Sequence, residues 1–220
     1  MRATLLAVLL FVAPLALAEQ LTIDRIYDGG SLSGPTPSKL KISPDGMRVT
    51  FLRAKADDQT TFDLWEYNIK AGATRLLVDT KTLAPNGEEL SDAEKARRER
   101  ARIAGRHGIV DYTWAPDGKK LLFPLGGKLY LYDLGSAANK ALRELATGGE
   151  ALDAQISPKG RYVSYVRAQN LWVIDLVDGK ARAPTHDGGG RVHNGEAEAV
   201  APAERKRCHA YGWRADGAAP

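Results

Sequence analysis

At 220 residues, 44% of them hydrophobic, the chain is long enough to bury a sizeable core in one domain. Its net charge of +4 is local: Arg2 supplies one unit, and Ser91 to Arg106, with six bases against three acids, supplies the other three. The remainder balances, which excludes a basic face for nucleic acid, and the single cysteine, Cys208, excludes an internal disulfide framework.

The chain opens MRATLLAVLLFVAPLALAEQ, one arginine followed by an uncharged apolar run from Ala3 to Ala18 that ends in Ala16-Leu17-Ala18. This pattern predicts a signal peptide over residues 1–18, cleaved before Glu19. Pro14 and the small residues at the end disfavour a retained anchor, and nothing later is long and apolar enough to span a membrane. The expected product is soluble and exported, periplasmic or secreted.

An internal repeat organises the rest of the chain. KISPDGMRVTFLR (Lys41 to Arg53), YTWAPDGKKLLFPL (Tyr112 to Leu125) and AQISPKGRYVSYVR (Ala154 to Arg167) share a small residue, Pro, Asp or Lys, Gly, a base, then alternating apolar positions. Each predicts strand, tight turn, strand: Pro presets φ at the first central position, and Gly accepts the positive φ that the turn requires. A second template comes after each, as DLWEYNI (Asp63 to Ile69), KLYLYDL (Lys128 to Leu134) and NLWVIDL (Asn170 to Leu176), with the alternation of a half-buried strand. ATRLLVD, KALREL and GKARAPT then suit a further strand each. The unit is four antiparallel strands that must stack on neighbours, so the fold class is all-β, a partial β-propeller of four-stranded antiparallel blades. The strict repetition disfavours a β-sandwich of similar hairpins.

One segment breaks the pattern. LSDAEKARRERARIAG (Leu90 to Gly105) carries Ser91 as N-cap, Glu94 to complete a capping box, acids before bases, and Gly105 as a stop. It predicts one helical insertion near residues 91–104, within a blade, with an alanine stripe at the surface and arginines on a solvated face.

Together the repeats, this helix and THDGGGRVHNGEAEAVA (Thr185 to Ala201) resemble the N-terminal β-propeller domain of bacterial dipeptidyl peptidase IV, in the prolyl oligopeptidase group of serine peptidases. The resemblance covers nearly all of residues 19–220, and the segment around Asn194-Gly195 is its most specific part. It implies a propeller over an α/β-hydrolase domain with a Ser, Asp, His triad, which removes dipeptides after a penultimate Pro or Ala. It also implies a peptide N-terminus as ligand and a homodimer as the usual state.

For the stretch NGEAEAVAPAER, the resemblance implies two adjacent glutamates beyond the Asn-Gly that hold the substrate's free α-amino group. An ammonium has three donors, which two carboxylates can satisfy. The aligned positions are Ala203 and Glu204, so Glu204 is the substrate-binding residue that remains, and the missing partner should weaken ammonium capture by about 1.5 to 3 kcal/mol. Glu196 and Glu198 are expected on the approaching strand, without a role. The resemblance further implies an arginine on an early blade insertion that holds the substrate's backbone carbonyl. Arg102 is the best match, with Arg106 as the alternative.

Beyond Val200 the match fades. Tyr211, Trp213, Asp216 and Gly217 stand where the next blade's turn belongs, but Ala215 replaces the proline and the sequence ends at Pro220. This reads as an incomplete propeller without its hydrolase domain. No Gly-x-Ser-x-Gly elbow occurs, so no catalytic residues are assigned. No cofactor or metal is expected, and His186 and His193, flanking Gly188-Gly189-Gly190, read as loop residues. The functional expectation is the propeller part of an exported dipeptidyl peptidase IV-like enzyme, inactive alone. The alternative is a free-standing envelope propeller that binds proteins or peptides.

Overall fold

Four turns of one build frame the molecule. Gly46, Gly118 and Gly160 each take φ between +66 and +69°, and each donates its N–H to the residue three before it, Ser43, Ala115 and Ser157, at 2.8 to 2.9 Å. Gly217 repeats this with φ +69° and a 2.8 Å bond to the Arg214 carbonyl, although Ala215 stands in place of proline. Proline lowers the entropy of the unfolded turn but makes none of its hydrogen bonds, so the geometry survives without it. A Cβ on Gly118 would lie 3.6 Å from Pro44, one on Gly160 3.8 Å from Asp117, and one on Gly217 3.6 Å from Lys159. Successive turns therefore touch in order, each against the one before.

This computed structural model describes residues 21–27, 34–196, 210–217 and 219–220. Residues 1–34 form one compact unit, whose described part holds the short helix α1 (Ile23–Tyr27). Residues 35–220 form the other. Its first sheet orders β1 (Ser38–Ile42), β2 (Arg48–Ala54), β3 (Thr61–Asn68) and β4 (Ala73–Val78). After helices α2 (Thr80–Leu83) and α3 (Asp92–Arg100), β5 (His107–Gly108) returns to pair with β3. The second sheet orders β6 (Thr113–Trp114), β7 (Lys120–Leu125), β8 (Lys128–Asp133) and β9 (Leu142–Glu144). The third orders β10 (Leu152–Ile156), β11 (Tyr162–Arg167), β12 (Asn170–Asp175) and β13 (Ala181–Arg182).

The repeat thus folds as expected, three four-stranded antiparallel meanders in chain order. The helical insertion also falls where expected: α3 (Asp92–Arg100) lies between β4 and β5, both of which belong to the first sheet. One expectation needs correction. The pairing is not antiparallel throughout, because β5 runs parallel to β3 through Thr61↔His107 and Phe62↔Gly108. A Cβ on Gly108 would fall 2.6 Å from the Phe62 carbonyl oxygen, so only glycine admits this approach.

Alternation in the middle sheet explains the stacking. Along β7, Leu121, Phe123 and Leu125 point into one core with Leu52, Leu64 and Phe62 of the first sheet. Leu122, with Leu129 and Leu131 from β8, points into a second core with Val163, Tyr165 and Ile174 of the third. A strand apolar at every position is a strand buried on both faces, which is why LLFPL and LYLY belong to the central sheet. Each fully buried leucine here is worth about 1.5 to 3 kcal/mol.

Adjacent sheets are also latched by polar contacts. The Trp114 indole donates to Thr50 Oγ1 at 2.9 Å, and the Tyr112 hydroxyl to the Lys39 carbonyl at 2.7 Å. The fourth repeat latches to the third in the same way. Its Tyr211 hydroxyl donates to the Asp153 carbonyl at 2.6 Å, and Trp213 stacks on Tyr162. Lys39 and Asp153 are both left-handed, φ +52°, inside matching bulges of β1 and β10.

Candidate functional site

Because the strands alternate in direction, the Pro-Asp-Gly turns lie at one end of the sheets and the sheet-to-sheet connections at the other. That second end collects the insertion, the β7–β8 and β11–β12 hairpin turns, and the loop that runs from β13 towards the fourth repeat. Arg102, Arg106 and Asn194-Gly195, all singled out from the sequence, fall there.

Helix α3 begins as expected: Ser91 Oγ accepts from the Glu94 N–H at 3.1 Å. The capping box does not close, since the Glu94 carboxylate turns to Arg97 (2.6 and 2.7 Å) and Arg98 (2.8 Å). Burial raises the Glu94 pKa, but the two guanidiniums outweigh it and hold the group below its ordinary value.

The expectation of a solvated arginine face fails at Arg98, which is only 3% exposed. It forms a two-pronged pair with Glu88 at 2.6 and 2.9 Å, and its Nη1 donates to the Arg106 carbonyl at 2.8 Å. Glu88 in turn accepts from the Gly108 N–H at 3.0 Å. Burial disfavours the Arg98 charge, yet the paired carboxylates more than compensate and raise its pKa. The pair pins the chain on both sides of residue 107, and with it the start of β5.

Arg102 occupies the position that ends the helix. Its N–H donates to the Glu99 carbonyl and the Ile103 N–H to the Arg98 carbonyl, both at 2.9 Å, with Arg102 left-handed at φ +55°. This is the Schellman arrangement with arginine where glycine is usual, so Gly105 is not the stop. The Arg102 side chain is exposed. Arg106 instead lies with its guanidinium 4.8 Å from the Phe62 ring centroid, its peptide held by Arg98. Glu204, Ala203 and Glu198 lie outside the described residues, as do the predicted signal peptide, residues 1–18, and Cys208.

The loop carrying Asn194-Gly195 is anchored on the β11–β12 hairpin. Asn170 Oδ1 accepts from the Gly188 N–H (2.9 Å), Thr185 Oγ1 (3.2 Å) and Asn194 Nδ2 (3.3 Å). The Asn194 N–H donates to the Gln169 carbonyl at 2.9 Å. A Cβ on Gly188 would sit 2.2 Å from that same carbonyl oxygen, and one on Gly195 3.0 Å from Val166. The hairpin turn is strained, with Ala168 at φ +47° and Gln169 at φ +59°, where the second sheet uses Gly126 and Gly127. Glu196 is not on a strand: it comes after this bend and meets His193 Nδ1 at 2.5 Å.

Sequence reasoning missed a cleft of about 610 Å³ at this end, between the insertion and the second and third sheets. Its lining includes Glu89, Glu144 and Glu150. Glu144 accepts from Lys128 Nζ at 3.0 Å, and Glu150 bonds Ser91. The signal was present in Gly126-Gly127 and Gly148-Gly149, which keep the walls low, but three glutamates spread over 62 positions form no motif. Among the described residues no cluster could hold a metal ion, and no helix is long and apolar enough to cross a membrane.

Comparison with known proteins bears on the fold. Residues 115–219, from the second turn to the fourth, match the family model for the dipeptidyl peptidase IV (DPP IV) N-terminal region. In fold the chain is similar to Porphyromonas gingivalis dipeptidyl peptidase 4, with TM-score 0.56 and 17% identity, covering 91% of this chain. It spans 27% of that peptidase's length. TolB from Acinetobacter baumannii aligns at TM-score 0.42 and 13% identity, over 70% of this chain and 33% of its own. With its second to fourth blade turns matching that family model and its sheets stacked as in the Porphyromonas gingivalis peptidase, the chain has a partial β-propeller fold similar to the dipeptidyl peptidase IV N-terminal region.

Proposed function

We propose that the chain is the substrate-gripping propeller portion of an exported dipeptidyl peptidase IV-like serine peptidase, and that it hydrolyses no peptide alone. Export is supported by the uncharged run from Ala3 to Ala18 with its Ala-x-Ala end. Inactivity is supported by the lack of a Gly-x-Ser-x-Gly elbow in the sequence. The observation that carries the reading is that the insertion bearing Arg102 and Arg106 and the loop bearing Asn194-Gly195 leave the same end of the sheets. There an arginine can hold a peptide carbonyl, and the resemblance assigns the ammonium to Glu204, later in the sequence. Of the two arginines, Arg106 has the restrained backbone that positioning demands.

The test is a pair of measurements on the purified chain. Gly-Pro-p-nitroanilide should not be hydrolysed. A Gly-Pro dipeptide amide should bind in the millimolar range, where one carboxylate is worth only a few kcal/mol. Its N-acetylated form should not bind, and Glu204→Gln should abolish the distinction. Hydrolysis, or equal binding of the acetylated form, overturns the reading. A free-standing peptide-binding module is favoured by the cleft lined by Glu89, Glu144 and Glu150. In that case Glu144→Gln with Glu150→Gln, rather than Glu204→Gln, would remove binding.

A further inference from the structure

The three blades share a fixed point. Asp63 in β3, Lys128 in β8 and Asn170 in β12 hold the same place, directly before a Leu-aromatic pair. In each blade the carbonyl preceding that residue accepts an N–H from the chain as it returns after the blade's last antiparallel strand. Phe62 accepts from Ile109 at 3.1 Å, Gly127 from Ala151 at 2.9 Å and Gln169 from Asn194 at 2.9 Å.

What returns to these carbonyls differs. The middle blade needs only the short stretch from Glu144 to Ala151, and its Lys128 gives its ammonium to Glu144 at 3.0 Å. The first and third blades send out longer excursions, and there the matching residue is an acceptor. Asp63 Oδ1 accepts from the Thr80 N–H at 2.8 Å where the first excursion departs, and Thr80 Oγ1 donates to the Phe62 carbonyl at 2.6 Å. Asn170 Oδ1 accepts from Thr185 Oγ1 at 3.2 Å and the Gly188 N–H at 2.9 Å where the second departs, and from Asn194 Nδ2 at 3.3 Å where it returns. A threonine thus closes each departure, and a glycine passes over each carbonyl. A Cβ on Gly108 would strike the Phe62 oxygen, and one on Gly188 the Gln169 oxygen. Departure and return are drawn to one backbone carbonyl and the side chain next to it.

We propose that Asp63 and Asn170 are positioning residues, which close the necks of the two excursions and so fix the groups that these present to a peptide. The inference rests on the gripping role proposed above and deepens it. The first neck shuts at Gly108, just beyond Arg106, and the second shuts on Asn194 itself. Both side chains are acceptors where the blade with the short connection has a donor. The Asp63 side chain is 5% exposed and its second oxygen meets Lys55 at 2.7 Å, so its charge is matched inside the neck. Asn170 takes three donors on Oδ1 while its Nδ2 donates to the Ala168 carbonyl at 3.1 Å, so both ends of the amide hold the loop and its turn. A loop that must be ordered when its ligand arrives loses affinity to that ordering, and a closed neck removes the loss in advance.

Hydrogen exchange and peptide binding on the whole chain test this. In the unsubstituted protein the amides of Thr80, Ile109, Gly188 and Asn194 should exchange as slowly as those of the strands, and fast exchange at any of them overturns the proposal. Asn170→Ala should speed exchange at Gly188 and Asn194 by about tenfold while Val163 to Val166 stay slow, and should weaken binding of a Gly-Pro dipeptide amide by about tenfold. Asn170→Asp keeps an oxygen for all three donors and should restore both. Asp63→Ala should likewise release Thr80 and Ile109, and Asp63→Asn should hold them. Exchange that rises along the whole third sheet in Asn170→Ala, or rises nowhere, overturns the neck role. If Asn170→Asp restores slow exchange but not binding, Asn170 touches the peptide itself and the positioning role is overturned. A wild type without preference for the free amine over its N-acetylated form sinks the gripping reading and the positioning role with it. A wild type that has this preference, beside an Asn170→Ala that binds as tightly, sinks the positioning role alone.

Discussion

The Tyr112 hydroxyl donates to the Lys39 carbonyl across 2.7 Å, so a side chain of the second sheet meets a left-handed residue of the first. The same bond recurs between Tyr211 and Asp153. In both pairs the bulge turns a carbonyl out of its own ladder towards the next sheet, and a buried carbonyl without a donor is costly. Tyr112→Phe leaves the ring in place and removes the donor, so it should cost about 1 to 3 kcal/mol. Urea denaturation compared with wild type measures this, and an unchanged midpoint would show that the latch contributes nothing.

These phenols also give the molecule an alkaline limit. Burial pushes the Tyr112 pKa up to about 12, and burial raises that of Tyr211 as well. A raised folded pKa means that the folded state holds its proton after the unfolded chain has lost it. The resulting stability is fully present below pH 10, the ordinary tyrosine value, and is lost as the pH rises through about 12. Wild type should therefore unfold as the pH climbs from 10 to 12, with phenolate absorbance appearing alongside loss of circular dichroism. In a chain carrying both Tyr112→Phe and Tyr211→Phe, the slope of stability against pH in this window should be shallower.

Arg98 makes the opposite kind of bond, a buried charge pair whose removal strands its partner. Truncating it to alanine leaves the Glu88 carboxyl, 2% exposed, without its guanidinium partner. The expected loss is about 3 to 5 kcal/mol, typical of a broken buried pair. Glu88→Gln should cost less, because an amide still accepts from the Gly108 N–H. If Arg98→Ala melts within a degree or two of wild type, the pair does not hold β5 in place.

The blades were legible because their signals are local. Pro, Asp and Gly define a turn within four residues, and Leu121 to Leu125 announce burial on both faces within five. The recurring latch was also present, in the Tyr-x-Trp of Tyr112 and Trp114 and again of Tyr211 and Trp213, but it acquires meaning only beside the bulges at Lys39 and Asp153. Other features depend on distant partners. Nothing in DAEKARRER distinguishes Arg98 from Arg97 or Arg100 until Glu88 is placed against it. Asn194-Gly195 was recognisable as a motif, whereas its cause, the Asn170 anchor and the close pass of Gly188 over Gln169, joins residues up to 24 apart. The cleft glutamates have no sequence pattern at all, since sheet stacking alone gathers them.

Arg102 tests whether the end of α3 is built for stability or for its side chain. A left-handed non-glycine residue costs roughly 1 to 2 kcal/mol, and glycine at the same Schellman position avoids that cost. Arg102→Gly should then stabilise the chain by about 0.5 to 1 kcal/mol, after allowing for glycine's greater freedom in the unfolded state. Arg102→Ala keeps the strain and should not stabilise. If both variants lose affinity for a Gly-Pro dipeptide amide while only Arg102→Gly gains stability, the arginine is retained for binding at the expense of the fold. If Arg102→Gly is more stable and binds as wild type does, the carbonyl-holding role passes to Arg106, whose Arg98-bound backbone already gives it the more restrained position.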